Sequence, residues 1–256
     1  MAPAPNSEAS PSAMKGTTWM QEILPLILNG GDLTPVQTIP NWDRVPWLGD
    51  PRCPGSGRPP PSSGYGLPLA LPPHAPSFYT SKAKVIYVTR NPKDAAVSSF
   101  HFHGMASFLD DPGTFDQFLD KFLSGQVMFG KWTDHVKSWR NTDIEGRILY
   151  MTYEEMVQDL RAAVLRMAQF LGRELSPDVL EKVANHCQFN NMKTNIMSNY
   201  SLVPQDIMDS SKSPFLRKGT TGDWRNHFNA EQEARFSAII KKEMEGTSFA
   251  FPWDDE

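Results

Sequence analysis

Cysteine is almost absent from this chain. Cys53 and Cys187 are the only two in 256 residues, which excludes a disulfide framework and a thiolate zinc site and points to a reducing compartment. Long apolar runs are missing as well. None approaches the ~20 residues that cross a bilayer, and the opening MAPAPNSEAS has neither the basic start nor the apolar stretch of a leader peptide. Nor does charge of one sign prevail. The chain carries 25 basic and 29 acidic residues, a net charge of -4, so a nucleic-acid surface and a polybasic membrane anchor are not indicated. Any basic site has to be local. These absences predict a cytoplasmic protein without a membrane span or a nucleic-acid partner.

What is present suits one globular domain. With 39% apolar residues the chain can bury one sizeable core and does not demand two. Residues 1–13 are rich in Pro, Ala and Ser and are expected to be disordered. Residues 14–256 form the expected domain, interrupted by a segment from Gly49 to Pro76 that holds nine of the 22 prolines. Regular structure is not expected there. AKVIYV and RILYMTY are β-branched and aromatic runs of the kind that form buried parallel strands. Between and after them lie helical patterns: FDQFLDKFLSG, FGKWTDHVKSWRN, EEMVQDLRAAVLRMAQFLG, SPDVLEKVANHC and NAEQEARFSAIIKKEMEG. Alternation of strand and helix predicts an α/β fold, a central parallel sheet flanked by helices, with ligands at the strands' C-terminal ends.

Three short stretches can carry chemistry. MKGTTWMQEIL opens a predicted helix between Thr17 and Asn29, which Thr17 or Thr18 can cap. The turn is either a helix cap alone or a phosphate site, because unpaired backbone N–H groups and the helix dipole point at whatever precedes the helix. Arg90 stands where a strand ends, with Ser98 two helical turns on. Together they can grip one phosphate, the guanidinium bidentately; the alternative is a surface arginine paired with Asp94. Arg217, Lys218 and Gly219 in FLRKG make a second basic cluster, able to wrap an anion or simply to face water. The nucleoside-triphosphatase pattern G-x-x-x-x-G-K-[ST] is absent and the strand ends in Arg90 rather than a magnesium-holding Asp. Magnesium chemistry is disfavoured. His101 and His103 have no Cys or carboxylate set at zinc spacing, so no metal is expected and both read as packing and hydrogen-bonding residues.

KGTTW, RNPKD with Ser98, YEEM, CQFNNMK and FLRKGTTGDW occur in the order in which the cytosolic sulfotransferases carry similar motifs. The chain resembles that family outside residues 1–13 and 49–76. The resemblance implies a single-domain, P-loop-like sulfotransferase fold and transfer of a sulfuryl group from 3'-phosphoadenosine 5'-phosphosulfate (PAPS) to a hydroxyl of a small acceptor, without a metal. By matching positions, Gly16, Thr17 and Thr18 would hold the 5'-phosphosulfate and Trp19 would lie against the adenine. Arg90 and Ser98 would take the 3'-phosphate, Tyr153, Phe189 and Met192 would line the adenosine, and Arg217, Lys218 and Gly219 would close over the 3'-phosphate. The stretch from Asn190 to Gly219 looks closest to the hydroxysteroid branch.

The chain also departs from the family. Relatives read Y-P-K-S-G-T-T-W where this chain reads SAMKGTTW, so Met14 stands at the catalytic lysine and Lys15, displaced by one, is the substitute candidate. The family's first strand is not expected ahead of it. The family's general-base histidine sits in an H-L-P-like segment; here Gly66 or Pro68 matches it, and His74 has no qualifying spacing. The family's dimer motif, K-x-x-x-T-V-x-x-x-E, is degraded to RNHFNAEQEA, which leaves a family-type homodimer weakened. A catalytically impaired PAPS-binding variant or an incomplete isoform is the alternative to an active enzyme.

Overall fold

The computed structural model describes residues 16–45 and 82–254, except 129, 143 and 145. The readings made for residues 1–13, Lys15 and 49–76 lie outside them. The first helix, α1 (Thr17–Leu28), confirms the predicted span but corrects its cap: Gly16 is the N-cap, at φ 120°, and no side chain caps the helix. Thr17 and Thr18 fall in the first turn instead. A Cβ on Gly16 would sit 3.2 Å from Val88 Cγ1 and would strain at this φ, so glycine is what lets the turn press against the sheet. Asn29 and Gly31 close the helix by bonding back to Pro25 O and Leu26 O at 3.0 and 2.8 Å. Short helices α2 (Thr34–Thr38) and α3 (Asn41–Arg44) follow.

Strands β1 (Val85–Thr89) and β2 (Ile148–Thr152) pair in parallel, from Val85 opposite Ile148 to Thr89 opposite Thr152. Two-residue alternation sends their side chains to two cores. Ile86, Val88, Leu149 and Met151 pack with Ile23, Leu26, Val164, Met167 and Val183 of α1, α8 (Leu160–Leu171) and α9 (Pro177–His186). Val85, Tyr87, Ile148 and Tyr150 pack with Trp139 of α6 (Trp132–Arg140) on the other face. Helices therefore cover both sides of a parallel pair, as the α/β pattern requires. A further aromatic core, with Phe118, Trp132, Phe236 and Phe251, joins α4 (Pro92–Met105), α5 (Phe115–Ser124), α6 and α11 (Ala230–Met244).

Most predicted helices occur with their sequence signals in use. Thr114 and Gln117 form a capping box and Gly125 the left-handed C-cap of α5. Ser176 caps α9 with proline at its first turn. The single helix expected over EEMVQDLRAAVLRMAQFLG is two, α7 (Tyr153–Gln158) and α8. Asp159 breaks it with extended backbone, and its carboxylate accepts from Ala162 N to start the second. CQFNNMK supplies the short α10 (Phe189–Thr194).

One buried polar cluster anchors α1. Arg44 and Glu22 form an ion pair with both side chains fully buried, and His186 Nε2 lies 3.1 Å from the other Glu22 oxygen. Arg44 also donates to the carbonyls of Ile39 and Gln21 at 2.7 and 3.0 Å. Full satisfaction is what makes a charge tolerable at this depth.

Candidate functional site

The strand register builds the site. Because Thr89 and Thr152 are opposite each other, the residues that follow them, Arg90 and Tyr153, emerge side by side at the C-terminal edge. The Arg90 guanidinium lies over the Tyr153 ring at 4.2 Å and donates to Thr220 O at 3.0 Å. Its Nε is buried with no hydrogen-bond partner. Pairing with Asp94 does not use up this arginine: the two are 4.0 Å apart, and the Asp94 oxygens accept from Gly222 N and Trp224 N at 2.7 and 2.9 Å. Asp94 thus ties down the loop that carries Arg217–Gly219. A buried guanidinium edge without a partner is a strong donor held ready for an anion.

Arg90 opens into a cleft of about 930 Å³, counting the space open to solvent. Eleven of the twelve residues assigned to the nucleotide by resemblance line it: Gly16, Thr18, Trp19, Arg90, Ser98, Tyr153, Phe189, Met192, Arg217, Lys218 and Gly219. Thr17 is not among the lining residues. It is the first residue of α1, next to the Gly16 turn. Trp19 packs tilted against Tyr153, with ring centroids 5.4 Å apart, and its Nε1 donates to Cys187 O at 2.7 Å. Gly219, at φ 68°, presses its backbone on the Phe189 ring so closely that a Cβ would lie 2.2 Å from two ring carbons. The two ends of the cleft thereby differ in kind. One has uncapped helix N–H groups, the other has guanidinium and ammonium groups, and aromatic rings lie between them.

Arg217 and Lys218 are not simply solvated. Both reach Asp223, at 2.6 and 2.5 Å. Burial works against the Asp223 charge, yet hydrogen bonds from Lys218, Asn226 and Arg217 outweigh it and hold the carboxyl well below the usual carboxylate range. Burial pushes the Tyr153 phenol up, against the pull of Arg90, so it stays neutral. His101 also faces the cleft, a position its packing role left unseen. Burial and then Arg217 lower it to about 4, so it is neutral near pH 7. His103 does hydrogen-bond as expected, to Ser99 O at 2.8 Å and from Met128 N at 3.2 Å.

Sequence reasoning also missed the apolar side. Phe102, Met105 and Phe215 line the same cleft, and Tyr200 packs on Phe215 at 4.0 Å between centroids. These come from two distant segments, so no local pattern announces them. Asp94 was legible only as a candidate partner of Arg90 and Asp223 only as a member of GDW; their loop-holding contacts needed the fold. Among the described residues no group of His, Cys, Asp and Glu could hold a metal ion, and no helix is long and apolar enough to cross a membrane.

Residues 15–248 match the family model for the sulfotransferase domain. Sulfotransferase 2B1 of Homo sapiens is 44% identical over 94% of this chain, which spans 66% of that relative's length. The Mus musculus protein of the same name is 45% identical, over 93% of this chain and 71% of its own length. Sulfotransferase 1A1 of Rattus norvegicus is 42% identical, over 92% and 83%. The crystal structure of retinol dehydratase in complex with androsterone and inactive cofactor PAP superimposes with a TM-score of 0.81 at 26% identity, covering 93% of this chain and 80% of that one. Mouse sulfotransferase SULT7A1 complexed with PAP gives 0.59 at 32% identity, over 67% and 61%. With the matched domain spanning most of its length and an α/β fold shared with these structures, the chain belongs to the sulfotransferase family.

Proposed function

We propose that this chain binds PAPS, or its bisphosphate product PAP, in the cleft and serves transfer of a sulfuryl group to the hydroxyl of a small acceptor, a steroid, alcohol or phenol. The observation that carries the reading is the buried, partnerless Nε of Arg90 inside a cleft that also holds Arg217 and Lys218. Two separated sets of anion donors in an acidic chain suit a ligand with a phosphate at each end. PAPS supplies the activated sulfuryl group. The chain's own residues bind and orient: Gly16, Thr17 and Thr18 hold the 5' end through the uncapped turn of α1, and Arg90, Ser98, Arg217, Lys218 and Gly219 hold the 3'-phosphate. Trp19, Tyr153, Phe189 and Met192 enclose the adenosine. The apolar wall of Phe102, Met105 and Phe215 favours an uncharged acceptor. A family-type compartment in the cytosol and a weakened homodimer complete the reading.

The second reading is a chain that binds the donor better than it uses it. Its support is in the sequence: Met14 occupies the family's lysine position and Gly66 or Pro68 that of the histidine. Lys15 is the cation nearest that position in the sequence, and misplacement by ~1 Å already costs about a hundredfold. General-base assistance is worth roughly 10²–10⁴-fold, so turnover falls by that factor while binding survives. Calorimetry with PAP tests the site: Arg90→Ala weakens binding by about 1.5–3 kcal/mol, and unchanged affinity removes the assignment. Labelled-sulfate transfer from PAPS to hydroxysteroids and phenols tests the chemistry. A variant carrying YPKS, the preceding strand and an H-L-P segment should far outpace the natural chain; equal turnover sinks the second reading and directs mutagenesis to Lys15 and His74.

A further inference from the structure

His101 and His227 face each other beside the cleft with their Nε2 atoms 3.3 Å apart. Their surroundings fix the protons. His227 Nδ1 lies 3.0 Å from the Asp223 carbonyl oxygen, which can only accept, so Nδ1 carries a hydrogen. With both rings neutral, His101 carries its hydrogen on Nε2 and donates it to His227 Nε2, 3.3 Å away. His101 Nδ1 is then the one nitrogen with neither a hydrogen nor a part in these bonds, and adding a proton there breaks none of them. The pair has one open proton site, on a ring that lines the cleft.

The groups around that ring are set against each other. Arg217 and Lys218 act from the loop above, and Asp223, paired with both, acts from the 3-10 turn Asp223–Asn226. On His101's own helix, the Asp94 carboxylate is taken by Gly222 and Trp224 N–H groups. Phe100 on α4 meets the ring edge-on, and Phe115 of α5 covers His227. Without an anion His101 stays neutral: burial and Arg217 hold it near 4. A phosphate dianion beside Arg217 and Ser98, three residues before His101 on α4, reverses the local charge and favours the imidazolium.

We propose that the phosphate entering this end of the cleft brings one proton with it, held at His101 Nδ1, and that the resulting imidazolium is a further phosphate-binding group, with His227 as its positioning partner. The inference rests on reading the cleft as a bisphosphate site. Binding then couples to proton uptake and tightens as pH falls from about 8 toward the phosphate's own titration near ~6. Below that the phosphate's protonation opposes it.

Titration calorimetry of the full chain with adenosine 3',5'-bisphosphate at pH 7, in two buffers of different ionisation enthalpy, reads the protons directly. The wild type takes up a substantial fraction of one proton per nucleotide. His101→Gln takes up almost none and binds roughly tenfold more weakly at pH 6.5 than the wild type, with a smaller gap at pH 8.5. Equal uptake in both proteins overturns the proposal. Should His101→Gln fail to fold, imidazole nitrogen NMR of the wild type decides: on adding bisphosphate His101 Nδ1 moves from the unprotonated to the protonated position, and an unmoved resonance overturns the proposal. Binding without proton uptake refutes this inference alone. No bisphosphate binding at all refutes the reading of the cleft, and this inference with it.

Discussion

Gly219→Ala puts one methyl group where the cleft is tightest, and its cost can be worked from geometry. Two penalties add. The backbone sits at φ 68°, and an L-residue in the left-handed region costs about 1–2 kcal/mol. The new Cβ would lie 2.2 Å from Phe189 Cδ2 and Cγ, far inside contact, so the ring or the loop has to move. Overpacking of this kind costs about 1–3 kcal/mol. The ring has little freedom to yield, since Phe189 starts α10 and that helix is tied in by the buried Met192. The sum, about 2–5 kcal/mol, corresponds to a melting-point drop of roughly 4–20 °C at about 2–4 °C per kcal/mol for a chain this size. Because both residues line the cleft, bisphosphate affinity falls together with stability. Thermal melts and calorimetry read the two losses, and Phe189→Leu in the Gly219→Ala background should recover part of the overpacking term but none of the backbone strain. A Gly219→Ala protein melting within about 1 °C of wild type would refute the reasoning, since even the backbone penalty alone exceeds that.

Other perturbations reach different parts of the molecule. Arg44→Ala leaves the Glu22 carboxyl buried without its arginine, with only His186 beside it, and denaturant unfolding should show a loss of about 3–5 kcal/mol, much of it recovered by also replacing Glu22 with leucine. Asp223→Asn removes a carboxyl whose folded value is depressed; the stability this group contributes is complete above its unfolded value near ~4 and lost as pH falls through the lower folded one. The gap between wild type and Asp223→Asn in urea unfolding should therefore be wide at pH 6 and narrow progressively below pH ~4, and a gap that does not narrow contradicts the ion-pair account. Asn229 serves as N-cap of α11 and Ala230 as its first residue, where the family's dimer motif has Thr and Val. Analytical ultracentrifugation should find weaker self-association than in relatives, and a nanomolar dimer through this segment would contradict that expectation.

Local chemistry made much of the fold legible. Ser176, Thr114 and Asn229 cap helices because a short oxygen-bearing side chain satisfies the first free N–H groups wherever it stands, and AKVIYV and RILYMTY are strands because their β-branched and aromatic side chains suit a pleat buried on both faces. The order of KGTTW, RNPKD and FLRKG was enough to suggest one anionic ligand. What the sequence could not settle were contacts between segments far apart in the chain. Whether Arg90 pairs with Asp94 or stays open depended on Gly222 and Trp224 reaching the carboxylate from about 130 residues away. Asp159 splitting a continuous helical pattern was a competition between propensity and a cap that only packing decides. Tyr153 lies under Arg90 because Thr89 and Thr152 share a register, and His101 meets His227 because a loop folds back across α4. Capping and strand preference act over a few residues and are written in them; register, loop return and the burial that shifts a proton are set only when the whole chain has closed on itself.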